Sequence, residues 1–216
     1  EGAHIRDGMR AAPGAIERVQ LIDGQVHIQT IGSRAPVGIC GSGILDAVAT
    51  LVEGELVDFR GVFTGHPLLK QAADGKPVFV LADAPQTEHG RDVIINRKDI
   101  SEIQLAKAAI RAGIEILLER AGITAADVES FVIAGAFGTY INIEGAVRIG
   151  MFPDLPLERF HQVGNAAGVG AWQLLTSQEL RGHVGELIEN VEYIELTTYQ
   201  NFQSIFMENI ALQASL

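Results

Sequence analysis

The sequence predicts an α/β fold, and three observations carry that prediction. Short apolar runs of strand length end in glycine clusters, segments with apolar residues spaced three and four apart follow them, and the two kinds of segment alternate along the chain. The clearest junctions are Val37-Gly38-Ile39-Cys40-Gly41-Ser42-Gly43 and Phe131-Val132-Ile133-Ala134-Gly135-Ala136-Phe137-Gly138, each a strand end running into glycines.

Taken in order, Ile16 to Ile31 reads as a β-hairpin turning on Asp23-Gly24, the favoured two-residue turn. After the strand end at Val37, Ile44, Leu45, Val48, Leu51 and Val52 carry helical periodicity to a stop near Gly54. Residues 61–91, with Pro67, Pro77 and Pro85, read as irregular except for a strand at Val78 to Leu81. Val93 to Ile95 is a short strand. A long amphipathic helix is predicted from about Ser101 to Ala121, capped by Asp99 or Ser101 and stopped at Gly122. Ala125 to Glu129 reads as one helical turn and Phe131 to Ala134 as a buried strand. Helix is predicted over 143–149, strand over 160–163, helices over 165–175 and 177–190, strand over 191–196 and a closing helix over 200–212. The strands near 16–39 and 131–196 are expected to form one core sheet. The predicted domains are a core α/β subdomain from 1–53 and 123–216, with 54–122 inserted as a smaller covering subdomain that carries the long helix.

The 216 residues can bury one large core. A net charge of −11, with no basic run, argues against nucleic-acid binding, which requires a concentrated basic surface. Apolar stretches are broken by charge or glycine before about 18 residues, so no membrane span is expected. One cysteine, Cys40, excludes an internal disulfide and an all-cysteine metal site, and a reducing cytoplasm is the expected compartment. The six histidines show no metal-ligand spacing, so no metal site is expected. The chain opens Glu1-Gly2-Ala3 without an initiator Met, and a piece of a longer protein is expected.

Gly41-Ser42-Gly43 lies at a strand-to-helix junction, where unpaired amides and the positive end of a helix dipole favour phosphate. The Walker and dinucleotide spacings are both missing, and a tight turn with close helix–strand packing explains it equally well. Gly135-Ala136-Phe137-Gly138 follows a strand at its carboxyl end, where open α/β sheets bind ligands. In the predicted helix that follows Gly164, Gly168 and Gly170 each cost about 1 kcal/mol relative to Ala, which suggests close approach by another helix or a ligand. Gln104, Lys107 and Arg111 share one face of the long helix, a pattern that by default is a solvated charged face.

The order of these motifs resembles the second lobe of the actin-like (sugar kinase/heat-shock/actin) ATPase superfamily, with a ribonuclease H-like mixed sheet flanked by helices. Within it the chain is similar to the C-terminal domain of reductive activators of corrinoid-dependent enzymes. The similarity runs through Glu1-Gly2-Ala3, Gly8-Met9-Arg10-Ala11, Pro13-Gly14-Ala15-Ile16, Gly38 to Gly43, Val132 to Ile141 and Gly164 to Gly170. The resemblance implies that Gly135, Ala136, Phe137 and Gly138 approach adenosine, that Gln104, Lys107 and Arg111 wall the base and ribose, and that Gly41, Ser42 and Gly43 neighbour the pocket. It implies ATP or ADP with Mg²⁺ as ligand, and a two-iron two-sulfur cluster in a region N-terminal to this chain. It further implies a corrinoid protein or corrinoid methyltransferase as partner, with a homodimer allowed. The task implied is the ATP-driven reduction of Co(II) corrinoid to Co(I).

The sequence departs from these patterns in several places. Both phosphate loops and the four-cysteine motif are absent, so this chain alone is expected to be inactive. The usual Gly-Gly is Gly135-Ala136, and the arginine that stacks on adenine has no counterpart, leaving Phe137 or Tyr140 to supply apolar contact. Two other classes stay open: another superfamily ATPase or kinase, such as a dehydratase activator or small-molecule kinase, and a non-catalytic docking module with a vestigial nucleotide site.

Overall fold

The structure, a computed structural model, describes residues 4–212. Glu1-Gly2-Ala3, part of the family-like opening, lies outside them. Ala15–Ile22 (β1) and Gln25–Thr30 (β2) form the antiparallel hairpin. At its turn Asp23 (φ 50°) and Gly24 (φ 73°) are both left-handed, which matches the twist of the strands they join. Gly38–Ile39 (β3) pairs parallel with the start of β1 and takes a second neighbour from the N-terminal segment: Ile39 N donates to the Asp7 carbonyl at 2.8 Å, and Met9 N to the Ile39 carbonyl at 2.9 Å.

Helix Gly41–Glu53 (α1) lies against β1, and every residue from Ser42 to Leu51 is buried. Two of its polar side chains meet the backbone of Val19. Asp46 Oδ2 accepts from Val19 N and Thr50 Oγ1 donates to the Val19 carbonyl, both at 2.9 Å. Asp46 Oδ1 also accepts from Asn142 Nδ2 at 2.9 Å, which ties α1 to the cap of helix Ile143–Arg148 (α3). A buried carboxylate is tolerated here because both of its oxygens are hydrogen-bonded.

Leu69–Gln71 (β4), Pro77–Ala82 (β5) and Val93–Ile95 (β6) make a second, antiparallel sheet in the order β4-β5-β6. Arg97–Ala121 (α2) follows. Phe131–Ala134 (β7) and Phe160–Gly164 (β8) pair in parallel, and Phe131, Phe152 and Phe160 cluster with ring centroids 5.1–6.0 Å apart. Ala166–Thr176 (α4), Gln178–Glu189 (α5) and Phe202–Glu208 (α6) complete the described chain. One apolar cluster runs from Ile16 and Val48 through Phe79, Ile95 and Ile103 to Ile133 and Ile149.

Several expectations are corrected. The strands expected in one core sheet lie in two: β2-β1-β3 and β7-β8 are not hydrogen-bonded to each other among the described residues. Residues 191–196 form no strand; the chain runs on to a single 3₁₀ turn at Leu196–Thr198. α1 starts at Gly41, three residues early, so Gly41-Ser42-Gly43 is its first turn. The closing helix is confined to 202–208, and β4 was not foreseen.

The long helix starts at Arg97 with Asn96 as its cap. Asn96 Oδ1 accepts from Lys98 N and Asp99 N, while Asp99 Oδ2 accepts from Asn96 N, a reciprocal box that puts Asp99 three residues into the helix. The expected stop holds, with Gly122 left-handed at φ 67°. Asn96→Ala should therefore cost about 1–2 kcal/mol, read as a lower midpoint in chemical denaturation. An unchanged midpoint would mean that the cap contributes nothing.

Two helices are uncovered. Neither α4 nor α5 has a buried residue, and Val169, Trp172, Leu175, Leu187 and Ile188 all stand exposed.

Candidate functional site

Two segments far apart in sequence meet at the carboxyl end of β7. The first is the start of α1, where Cys40 is the N-cap residue and makes no side-chain cap. The first-turn amides of a helix have no partner within it and carry the positive end of its dipole. The second is the loop after β7. Gly135 has φ +105° and donates its N–H to the Gly164 carbonyl at 2.6 Å; a Cβ added there would meet nothing within 4 Å. The backbone at Gly135 is thus both specific to glycine and open to approach.

Between them lies a pocket of about 290 Å³. Cys40, Gly41 and Ser42 form one side and Ala136, Phe137 and Tyr140 the other, with Ala11, Glu17 and Ile31 completing it. Phe137 rests on Gly41: a Cβ at Gly41 would come 2.6 Å from Phe137 Cε2. Glycine at 41 therefore lets an aromatic ring close one side of the pocket. Gly43, Gly135 and Gly138 do not line it. Gly43 is pressed against the Ile16 carbonyl, and Gly138 is buried with its missing Cβ 2.7 Å from Ile133 Cγ2. The loop is held from β8, where Gln162 Nε2 donates to the carbonyls of Gly138 and Ile141, the latter at 2.9 Å.

Gln104 and Lys107 are not part of this pocket. Both are buried, and both donate to the segment after α6: Gln104 Nε2 to the Ile210 carbonyl at 3.1 Å, and Lys107 Nζ to the Ala211 carbonyl. Arg111 pairs with Glu115 at 2.7 Å, and Glu115 in turn accepts from Asn209 Nδ2 at 3.2 Å. Leu212, fully buried, donates its N–H to the Phe59 carbonyl at 3.0 Å. The shared face inferred from spacing is real, but residues 209–212 lie across it as a strap.

Burial, with a smaller contribution from Arg111, pushes Lys107 down to about 8. The charged form is thus penalised in the folded state. That penalty is full below pH 8, where folded and unfolded chains are both protonated, and is relieved between about pH 8 and 10.5 as the folded state sheds its proton first. Relative to Lys107→Met, the wild type should gain about 2–3 kcal/mol of stability across that window in denaturation series. A flat difference would remove the buried charge from the account.

Sequence reasoning missed Ala11, Glu17, Ile31 and Gln162. Glu17 follows Ile16, which pairs with Ile39 next to Cys40, so its place became visible only with the parallel β1–β3 register. Gln162 has no local signal; its partners lie 21 and 24 residues upstream.

Residues 1–215 match the family described as the C-terminal domain of RACo, the ASKHA domain. The chain is 38% identical over 218 residues to the corrinoid activation enzyme RamQ of Eubacterium limosum, covering 97% of this chain and 37% of that protein. It is 25% identical over 231 residues to the [Co(II) methylated amine-specific corrinoid protein] reductase of Methanosarcina barkeri, covering 96% and 39%. A solved reductive activator for corrinoid, iron-sulfur protein superposes with a TM-score of 0.88 at 36% identity, over 98% of this chain and 34% of that one. The chain thus spans little more than a third of the length of each relative.

Proposed function

The chain belongs to the family of C-terminal ASKHA domains of RACo, and from that premise we propose that it is the adenosine-holding part of a reductive activator acting on a corrinoid protein. The observation that carries the nucleotide assignment is the pocket between the first turn of α1 and the loop after β7. Its chemistry fits a nucleoside: small Ala136, next to the open backbone of Gly135, and aromatic faces from Phe137 and Tyr140 for a base. The amides of Gly41 and Ser42 suit the anionic end. Since Gln104 and Lys107 already hold the 210–211 carbonyls, adenosine would bind on the α1 and β7 side, with the α2 face left to the strap.

ATP or ADP with Mg²⁺ is the proposed ligand; when bound, the nucleotide supplies the free-energy difference between two conformations. A nucleotide that binds those conformations unequally shifts their populations, and so changes how the partner is gripped. Among the described lining residues Glu17 is the only carboxylate, so the metal would be held chiefly by groups elsewhere in the longer protein. A two-iron cluster does not fit this chain. Its single thiol, Cys40, is buried and bonded to the Ile16 carbonyl at 3.3 Å. The electron that converts Co(II) to Co(I) must come from outside it. The exposed apolar face of α4 and α5 is proposed to pack on the rest of the longer protein, in a reducing cytoplasm; no described helix is long and apolar enough to cross a membrane.

The test uses the full-length protein, its Co(II) corrinoid partner and a chemical reductant, following Co(I) absorbance. Accumulation of Co(I) should require ATP. Equal accumulation without ATP would leave a docking role alone.

A further inference from the structure

The second sheet carries a feature that the nucleotide pocket does not use. An antiparallel sheet with one face on the core normally turns polar residues outward. Here Lys70 pairs with Val78, and Val80 with Ile94, so these four side chains share the face opposite Phe79 and Ile95, which belong to the core. Three of the four on this face are apolar; Val78 and Ile94 are themselves buried, and Val80 is half-buried. They line a cleft of about 950 Å³, with Val62 exposed at its side.

Five of the chain's sixteen lysines and arginines also line that cleft: Arg6, Lys70, Lys76, Arg97 and Lys98. Two carboxylates, Asp74 and Asp92, accompany them, so the cleft is cationic on a chain of net charge −11. Asp74 is engaged by Lys76 at 2.9 Å, and Asp92 accepts from Ala84 N at 2.6 Å. Arg97 is held in place by Ser101, Gln104 and the Arg60 carbonyl. Lys70 pairs with Asp83 at the surface. Exposed pairs of this kind are worth about 0–1 kcal/mol, so exchanging Asp83 for another carboxylate costs little.

We propose that this cleft is a docking site for an acidic peptide segment of a partner protein, with apolar side chains seated on half-buried Val80 and exposed Val62 and carboxylates on the surrounding cations. The distribution of charge favours a peptide over a single phosphate. The five cations come from the N-terminal segment, β4, the 72–76 turn and the first turn of α2, and so surround the cleft instead of converging on one point. An extended chain with spaced carboxylates meets separate cations, whereas one phosphate needs them gathered. The cleft shares no lining residue with the nucleotide pocket.

The test is fluorescence anisotropy of full-length protein with a labelled peptide alternating glutamate and leucine, beside its glutamine counterpart. The glutamate peptide should bind, weaken with added salt, and lose about tenfold or more in affinity in the Lys70→Glu/Lys76→Glu/Lys98→Glu variant. These lysines are exposed, so the variant should keep its circular dichroism spectrum and its nucleotide affinity. Equal affinity of wild type and variant, or equal binding of the glutamine peptide, would overturn the proposal. So would complete displacement of the peptide by inorganic pyrophosphate, which would make the cleft a small-anion site.

Discussion

Gly43→Val is expected to destabilise the protein by about 3 kcal/mol or more, enough to abolish cooperative folding at moderate temperature. Gly43 lies in the first turn of α1, where the helix passes closest to β1. A Cβ at this position would lie far inside contact distance of the Ile16 carbonyl oxygen, with Ile39 Cγ1 at 2.9 Å as a second obstacle. Backbone cannot yield as the end of a long side chain can, so α1 would have to lift away. That shift would break the Asp46 and Thr50 bonds to Val19 and expose Val48 and Leu51, both fully buried. Circular dichroism melting checks this. A variant within 1 kcal/mol of wild type would show that the helix–strand contact is looser than described.

Ala136→Trp should have the opposite profile: little change in stability and at least about a hundredfold loss of nucleotide affinity, about 2.7 kcal/mol. Ala136 is exposed, in the loop between β7 and the turn at Gly138, so an indole there displaces no core residue. It would instead occupy the pocket of about 290 Å³ that Gly41, Phe137 and Tyr140 help to line. Calorimetry with ATP and ADP on the full-length protein separates binding from folding. Wild-type affinity in this variant would remove adenosine from the pocket. A parallel loss of melting temperature would mean that the loop is structural instead.

How far the sequence showed this fold depends on whether the determining interaction is local. The hairpin was legible because Asp23-Gly24 names its own turn, and the end of α2 because Gly122 does the same. β4 was not: Leu69, Lys70 and Gln71 carry no strand signal, and only pairing with Pro77 to Phe79 makes them one. Residues 191–196 misled because their alternation suits a half-buried strand. In the structure Val191 and Tyr193 are exposed, and local bonds take over. Glu195 accepts from the Tyr193 hydroxyl and from Thr197 N and Oγ1, which closes a turn in place of a ladder.

The candidate site divides in the same way. Each glycine motif was visible, but that Gly41 meets Phe137, 96 positions further along the chain, is a tertiary fact. Gln104, Lys107 and Arg111 do share a helix face, as their spacing required. What covers that face, the strap at 209–212, lies about a hundred residues away and has no signature in the helix itself.

Photoaffinity mapping shows whether adenosine sits between α1 and the loop after β7. Full-length protein would be irradiated with 8-azido-ATP, digested, and the labelled peptide identified by mass spectrometry. The account predicts ATP-protectable labelling within residues 131–148, at Phe137 or Tyr140, and its loss in Ala136→Trp. Protectable labelling confined to residues outside this chain, or persisting unchanged in that variant, would contradict it.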